Sequence, residues 1–455
     1  SLVGYQRDVS GLVGSAEAAV RVRDVRDVVE AVQWAGSQRM SILPVGAQTS
    51  TTGASVPSGG LVVDMSALQE PIEVDRQAMR VEVSAGVRLQ DLRDALLEQG
   101  LDLPVDPTSA ADCTVGGAIA TNASGPATFR YGAMADWVRG LTVVDGVGRL
   151  HQLVERHVEK CAVGPVALQD PTRFFVGAEG LLGIIISASL AVIPAADGQG
   201  ALFVGFDRRA DLIDAVRRLR GVRDALSVRS VEWLDGACVG LLQGHTGGLT
   251  LPQGEAGGLY VEVEGVDEEM AMAHVEQAAE LMEAAGGDLS TCQVFQTVAE
   301  RRHFGELRHR VPDTLNRRGR ALVDAAGGAK LSTDWSVPID ALDELLEWTG
   351  RALEPLGLEG AYAYGHIGNG HPHLNLLCPD AEIKSRVTRV LHEQLQRVVA
   401  VGGSPVSEHG IGKIKRDLVA PHLPGGMLEA LRGLKSHFDP DGLLAPGNLI
   451  NIKSA

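Results

Sequence analysis

Aromatic residues are scarce. They make up 4% of this 455-residue chain against 45% hydrophobic residues overall, so any core must be mostly aliphatic. Cysteine is nearly as rare. The five present, Cys113, Cys161, Cys238, Cys292 and Cys378, are odd in number, far apart and free of any CxxC pair. That excludes a dense disulfide framework and an iron–sulfur cluster motif, and they read as isolated reduced thiols of a cytosolic protein. Basic charge is short too: 41 Lys and Arg stand against 58 Asp and Glu, for a formal net charge of −17. No basic stripe interrupts this balance, so nucleic-acid binding is not expected, and an anionic ligand would need a local basic pocket. Long apolar runs are also missing. The most apolar stretch, Leu181 to Ile193, is too short to cross a bilayer and contains Gly183, Ser187 and Ser189, so it reads as a buried strand and no transmembrane segment is expected. The first residues carry no charged-then-apolar targeting pattern, and the expected location is cytoplasmic.

What the chain has in quantity is glycine, with 55 residues, which suits a fold rich in turns and close backbone approaches. Helical periodicity over Val22 to Ala35 precedes a short strand from Ser41 to Val45, a Gly/Ser/Thr-rich loop from Gly46 to Gly60, strands at Leu61 to Asp64 and Met79 to Ser84, and a helix over Leu89 to Gln99. Gly140 to Val144 also reads as a strand. Pro194 and the glycines after it mark a boundary. Beyond it, strand-like Ala201 to Phe206 and Leu259 to Glu264 alternate with helix-like Asp211 to Leu219 and Glu268 to Ala284, which predicts an independent sheet with helices packed on it. From about Gly402 the chain returns to Gly- and His-rich loops and ends with a helix near Gly425 to His437. The expected fold class is α+β, with domains over 1–195 and 196–401 and a C-terminal segment over 402–455.

Two glycine-rich stretches carry the first functional signal. The loop Gly46-Ala47-Gln48-Thr49-Ser50-Thr51-Thr52-Gly53, between two strands, can turn successive backbone N–H groups toward one point and cradle a phosphate. It is neither a Walker loop nor a dinucleotide fingerprint, since no Gly-Lys-Ser/Thr follows and no GxGxxG opens a helix. The second stretch runs from Asp106-Pro107-Thr108-Ser109 to Gly116-Gly117-Ala118-Ile119-Ala120-Thr121-Asn122-Ala123-Ser124-Gly125, with Tyr131-Gly132 shortly after. Its small residues let something flat or phosphorylated lie against the backbone.

The second signal is Ala361 to Leu377, AYAYGHIGNGHPHLNLL. Asn369-Gly370 is a strong hairpin signal. With those two residues as the turn, Gly368 faces His371, His366 faces His373, and Asn375 faces Tyr364. Two imidazoles about 5 Å apart at Cβ suit one metal ion. Glu408-His409 further on adds a carboxylate and a third imidazole.

These stretches carry a resemblance. PVGAQTSTTGASVPSGGLVVDMSAL (44–68), DPTSAADCTVGGAIATNASG (106–125), RYGAMADWVRGLTVV (130–144) and GAEGLLGIIISASLAVIP (177–194) resemble the vanillyl-alcohol oxidase and p-cresol methylhydroxylase (PCMH) type of FAD-binding protein, in its D-lactate and D-2-hydroxyglutarate dehydrogenase branch. The resemblance implies a PCMH-type FAD-binding domain over 1–195 and a cap or substrate domain, an antiparallel sheet covered by helices, over 196–401. It implies that the first loop (Gly46, Ala47, Gln48, Thr49, Ser50, Gly53) holds the FAD pyrophosphate. The second stretch (Pro107, Thr108, Gly116, Gly117, Asn122, Ser124, with Tyr131 and Gly132) would run along flavin and pyrophosphate, and Glu179, Gly180, Gly183 and Ile185 would meet the adenosine half. The first loop has no His, so FAD is expected to be noncovalent. Gln48 stands where the family usually has Gly. The closing motif normally ends Asn-Pro-Gly-Lys; here Ala445 and Asn448 replace the first and last residues, and Asn448 is expected near the flavin.

The family pattern G-H-x-G-D-G-N-x-H-x-N, followed later by E-H-G-x-G, is similar to Gly365 through Asn375 and to Glu408 through Gly412. By that resemblance His366, His373 and Glu408 bind a divalent metal, zinc or manganese, and His409 is the base. Asn375, Arg308 (within Phe304-Gly305-Glu306-Leu307-Arg308) and Lys330 would contact substrate. The implied activity is FAD-dependent oxidation of a small anionic D-2-hydroxy acid of the D-lactate, glycolate or D-2-hydroxyglutarate type. A separate electron acceptor is needed: a quinone, an electron-transfer flavoprotein, an iron–sulfur protein or a cytochrome, through which the protein would be peripheral to a membrane. A homodimer is one arrangement left open. Two other readings are an alkyl-dihydroxyacetonephosphate synthase-like FAD transferase and a noncatalytic FAD subunit of an oxidase complex. The Glu408 carboxylate disfavours the first, and the His366/His373 and Glu408-His409 elements disfavour the second.

Overall fold

Asp24 starts the first helix. Its carboxylate accepts from the backbone N–H groups of Arg26 and Asp27, so α1 begins at Val25 and runs to Ser37, with Val28, Ala31, Val32 and Ala35 on its buried face. That face covers a three-stranded parallel sheet of β1 (Ala18–Arg21), β2 (Ile42–Val45) and β3 (Leu61–Asp64), in the order β1-β3-β2. Parallel strands buried on both faces read as continuous apolar runs, as Leu61 to Val63 do. This is a computed structural model. It describes residues 2–155, 160, 162, 164–165, 168–245, 249–358 and 361–451. The chain divides into two compact units: Ser1–Gly125, Gly132–Ala195 and Glu408–Ala455 form the first, and Pro126–Tyr131 with Ala196–Ser407 form the second.

The first unit holds a second sheet, five-stranded and antiparallel, built from β4 (Glu73–Asp75), β5 (Arg80–Ser84), β7 (Val138–Val144), β8 (Leu150–Val154) and β9 (Ile184–Ala191) in the order β4-β5-β9-β7-β8. A separate short antiparallel pair joins β6 (Leu101–Asp102) to β10 (Ile193–Pro194). Helices α2 (Leu89–Leu97) and α3 (Val115–Ala120) belong to this unit, as does the last helix, Met427–Phe438. The core joining α1 to both sheets is aliphatic (Val28, Val32, Ile42, Val63, Val144, Ile184 and Leu444), as the shortage of aromatics requires.

The second unit is organised on a seven-stranded antiparallel sheet. Its strands are β11 (Gly198–Phe206), β12 (Val228–Leu234), β13 (Gly257–Gly265), β14 (Asp288–Phe295), β15 (Gly327–Ser332), β16 (Ala361–His366) and β17 (His371–Asp380), in the order β14-β11-β13-β12-β16-β17-β15. The short helix α4 (Thr128–Tyr131) packs on β12. Helices α5 (Arg209–Gly221), α6 (Gly236–Leu242), α7 (Glu268–Glu283), α8 (Val298–Ala326), α9 (Ile339–Leu353) and α10 (Ala381–Ala400) complete it. α7 packs on β11 and β13, and α8 on β15 and β17. The expected α+β class, with an antiparallel second sheet covered by helices, is borne out.

Helix α8 positions one site residue and was not legible beforehand. Thr297 and Glu300 form a capping box at its start, and Gly327, at φ +66, ends it. Phe304, Leu307, Val311 and Leu315 form its buried stripe, with the Phe304 ring stacked 4.2 Å from that of Tyr260 on β13. Arg308, one turn after Phe304, is thereby held against the sheet.

Candidate active site

In the first unit, the segments expected to hold the dinucleotide converge. Gly46 sits where a Cβ would come within 2.3 Å of Thr114 Oγ1, and Gly116 where a Cβ would come within 2.7 Å of that of Ala85, so the first loop and the start of the second stretch are packed at backbone contact. Gly117 N–H donates to Thr114 Oγ1 at 3.2 Å. Gln48 adopts φ 55, and its side-chain amide donates to the carbonyls of Arg7 at 2.9 Å and Tyr5 at 3.2 Å. Ser50 Oγ accepts from Thr52 N and Ala54 N, which tightens the loop toward Gly53. The Glu179 carboxylate accepts from Ile411 N and Gly412 N at 2.7 and 2.8 Å; burial pushes its pKa up, against the pull of those two donors. Asn448 donates to the carbonyls of Ala54 and Glu179 at 2.9 and 3.0 Å and accepts from Lys413 Nζ at 2.6 Å. Asn122, at φ 50, receives Ala135 N–H, and Gly180 and Gly183 pack against Pro44 and Val143. Ile185 pairs with Val143 in the five-stranded sheet. Ala47 and Thr108 are exposed, while Thr49, Pro107, Ser124 and Gly132 are half-buried.

This cradle fits a flavin dinucleotide. Its backbone turns are left-handed at Gln48 and Gly53, and its glycines leave no room for Cβ atoms where the segments meet. The Glu179 carboxylate beside it is held by the backbone N–H groups of Ile411 and Gly412. Burial lowers the Lys413 ammonium, 3.3 Å from Gly53 O, to a pKa of about 8. Glu408 and His409 open the C-terminal segment of this unit. His409 Nε2 lies 3.5 Å from Glu408 Oε1, and its carbonyl accepts from Thr52 Oγ1 at 3.4 Å. Tyr131 is the exception among the expected cofactor residues. It belongs to the second unit, where its hydroxyl bonds the Glu264 carboxylate beside Arg229 and its pKa is raised, first by burial.

In the second unit, the hairpin is wider than expected. Asn369-Gly370 does not form a two-residue turn. Ile367–Asn369 is a single 3₁₀ turn ended by Gly370 at φ +67, so His366 pairs with His371, Tyr364 with His373 and Tyr362 with Asn375. The register shifts by two residues, which preserves the side-chain face. His366, His371 and His373 therefore share it, with His366 and His373 as diagonal neighbours, not directly opposed ones.

The three rings are close and similarly prepared. Their centroids lie 4.6 Å apart for His371 and His373 and 5.9 Å for each pair with His366. Rings ligating one ion by a nitrogen would stand roughly 5–6 Å apart. Each Nδ1 faces an acceptor: His371 the Trp335 carbonyl at 2.7 Å, His373 the Thr333 carbonyl at 3.3 Å, and His366 the Glu232 carboxylate at 2.5 Å. An acceptor on Nδ1 places the ring proton there and the lone pair on Nε2. Asp334, on the segment after β15, brings a buried carboxylate to the same place. Ligand atoms of Asp334, His371 and His373 lie within 4.8 Å of one another, a nitrogen-and-oxygen donor set that fits a divalent ion. Lys330 Nζ donates to Asn375 Oδ1 at 3.2 Å, and burial lowers its pKa. Arg308 is ion-paired to Glu232.

Asp334, His371 and Glu232 were absent from the sequence-based candidates. Glu232 had a weak signal, a single carboxylate between Val231 and Trp233-Leu234 in a strand-like segment, since acidic side chains are rarely buried unless paired. Asp334 follows a weak strand and gives none.

Comparison with known proteins settles the family. Residues 16–153 match the model described as FAD binding domain, and residues 199–449 that of FAD linked oxidases, C-terminal domain. This chain belongs to the FAD-linked oxidases. A D-2-hydroxyglutarate dehydrogenase of Xanthomonas citri pv. viticola is 30% identical to this FAD-linked oxidase over 95% of the chain and 88% of the relative. A D-lactate dehydrogenase of Anaerostipes hadrus is 28% identical over 98% and 92%, and the glycolate oxidase subunit GlcD of Bacillus subtilis 26% identical over 95% and 88%. Among solved structures, an alkyldihydroxyacetonephosphate synthase matches with a TM-score of 0.68 at 18% identity, over 94% of this chain and 75% of that one, which shows the fold alone. No helix among the described residues is long and apolar enough to cross a membrane.

Proposed function

We propose that this FAD-linked oxidase oxidises a small D-2-hydroxy acid, of the D-lactate, glycolate or D-2-hydroxyglutarate type, to its 2-oxo acid. The observation that carries this reading is the trio His366, His371 and His373, each with Nδ1 tied to an acceptor, with the Asp334 carboxylate beside His371 and His373. A noncatalytic flavin subunit has no use for such a set. Converting the CH–OH carbon to C=O removes one hydride and one proton. Noncovalent FAD, when bound, supplies the hydride acceptor at flavin N5. His366, His373 and Glu408, with Asp334 and His371 as further donors, would hold a divalent ion, which would supply Lewis-acid lowering of the substrate hydroxyl's pKa.

The chain's own residues do the rest. His409 takes the hydroxyl proton, a task suited to an imidazole. Arg308 and Lys330 hold the substrate carboxylate, and Asn375, fixed by Lys330, orients it. Gly46 through Gly53, Pro107 through Ser124 and Glu179 through Ile185 hold the cofactor. The partners required are a small anionic 2-hydroxy acid and a separate electron acceptor (a quinone, an electron-transfer flavoprotein, an iron–sulfur protein or a cytochrome). The test is a panel of D- and L-2-hydroxy acids mixed anaerobically with the FAD-loaded protein, before and after chelation. Bleaching of the flavin by a D-isomer, lost on chelation and restored by zinc or manganese, is expected. A flavin untouched by every member of the panel overturns the reading.

A further inference from the structure

The second unit contains one side chain that joins two functions. Glu232 stands on β12, whose pairing with β16 sets Trp233 against Gly365 and Leu234 against Tyr364. Continued by one residue, that register sets Glu232 against His366. One carboxylate oxygen of Glu232 lies 2.5 Å from His366 Nδ1, and the other is ion-paired to the Arg308 guanidinium on α8. Glu232 is 3% exposed, His366 6%, and the Arg308 side chain 15%. A carboxylate so deeply placed is costly unless paired, and here both oxygens are engaged by different partners.

We propose that Glu232 is a positioning residue for this reaction, holding a metal-binding imidazole and the substrate-binding guanidinium at a fixed separation. The inference rests on the function proposed above. The geometry gives it two separable consequences. Toward His366, Glu232 acts as the outer acceptor that orients a ligand ring, so its loss weakens metal binding. Such partners are worth roughly 10–100-fold in affinity. Toward Arg308, it fixes the orientation of a planar guanidinium fork, so its loss raises KM. The rigidity comes from the elements: β12 and β16 are adjacent strands of one sheet, and Phe304, Leu307 and Val311 pin α8 to it.

Two variants separate the consequences. Glu232→Gln is nearly isosteric. Its amide oxygen can still accept from His366, while its amide nitrogen meets the guanidinium with donors on both sides. It is expected to keep metal affinity, read by chelator competition and metal analysis, within about threefold of wild type, and to raise the hydroxy-acid KM by about tenfold or more with a smaller change in kcat. Glu232→Ala removes both contacts and is expected to weaken metal binding by about tenfold or more as well. A merely structural ion pair would lower the unfolding midpoint of both variants without this split. If Glu232→Ala fails to fold, the Gln variant and the ¹⁵N histidine spectrum of the wild type, where His366 should show a protonated Nδ1, still decide. Wild-type metal affinity and KM in both variants would overturn the role of Glu232 while leaving the parent reading intact. A wild-type protein that binds no divalent ion and is bleached by no hydroxy acid would overturn the parent reading.

Discussion

His371 Nε2 lies 3.6 Å from Asp334 Oδ1, while Nδ1 of the same ring is tied 2.7 Å from the Trp335 carbonyl. An imidazole outside the metal ligands that the resemblance implied is thus tied on one nitrogen and faces a buried carboxylate with the other. Asp334→Asn keeps the side-chain shape and removes the charge. It is expected to weaken zinc or manganese binding by at least about tenfold, and His371→Ala to do the same. FAD content should stay at the wild-type level, since both residues belong to the second unit and the cradle to the first. Metal analysis after dialysis checks this, and full retention of the ion in both variants would remove them from the set.

His409 has a different expected signature. A base works only when unprotonated, so kcat/KM should fall as pH drops below its pKa. His409→Asn is expected to lower kcat by roughly 10²–10⁴-fold, to flatten that acidic limb, and to leave FAD and metal in place. Rapid-reaction measurement of flavin reduction with the best substrate of the panel provides the check. A variant that reduces its flavin at the wild-type rate would assign the proton to another group.

Most elements were legible because their signals are local. The apolar run Leu61–Asp64 is a strand with the bounds read from sequence, and the periodicity from Val22 yields α1 once Asp24 is seen to cap it. The first loop, the second stretch, Glu179 and Asn448 lie in one unit, where Asn448 bonds the carbonyls of Ala54 and Glu179. What stayed hidden is not local. Glu232 and His366 are 134 residues apart and become neighbours only through the β12–β16 pairing, which no pattern in either segment encodes. The hairpin register failed for a smaller reason: Asn-Gly favours a two-residue turn, but Gly370 here closes a 3₁₀ turn, which widens the loop and brings His371 opposite His366. Helix α8 carries Pro312 and a row of arginines and histidines, so its stripe of four core residues was diluted below recognition.

Gln48 shows how the first loop tolerates a residue where the family usually has Gly. A left-handed φ costs a side chain about 1 kcal/mol, and the amide's bonds to the carbonyls of Arg7 and Tyr5 offset it. Gln48→Ala keeps the strain and loses the bonds, whereas Gln48→Gly loses both. The Gly variant is therefore expected to be more stable than the Ala variant by about 1 kcal/mol in denaturant unfolding. Equal stabilities would mean the backbone relaxes out of the left-handed region.

Lys413 makes a prediction about pH. Burial lowers its ammonium from an ordinary 10.5 to about 8. Between those values the unfolded chain keeps a proton that the folded chain has lost. The unfolded state then binds more protons, and stability rises with pH across that window. In flavin-free protein, the wild type should therefore gain stability relative to Lys413→Met as pH is raised from about 8 to about 10.5, because the Met variant has no proton to release. Other groups titrate in both proteins and cancel in the difference. Urea unfolding midpoints measured in parallel read the effect directly, and two curves that stay parallel through the window would show that Lys413 is solvated and keeps its ordinary pKa. The same ammonium bonds Asn448, the residue that replaces the family's closing lysine, so Lys413→Met should also weaken FAD binding, as Asn448→Ala should by removing the partner that holds the ammonium in place.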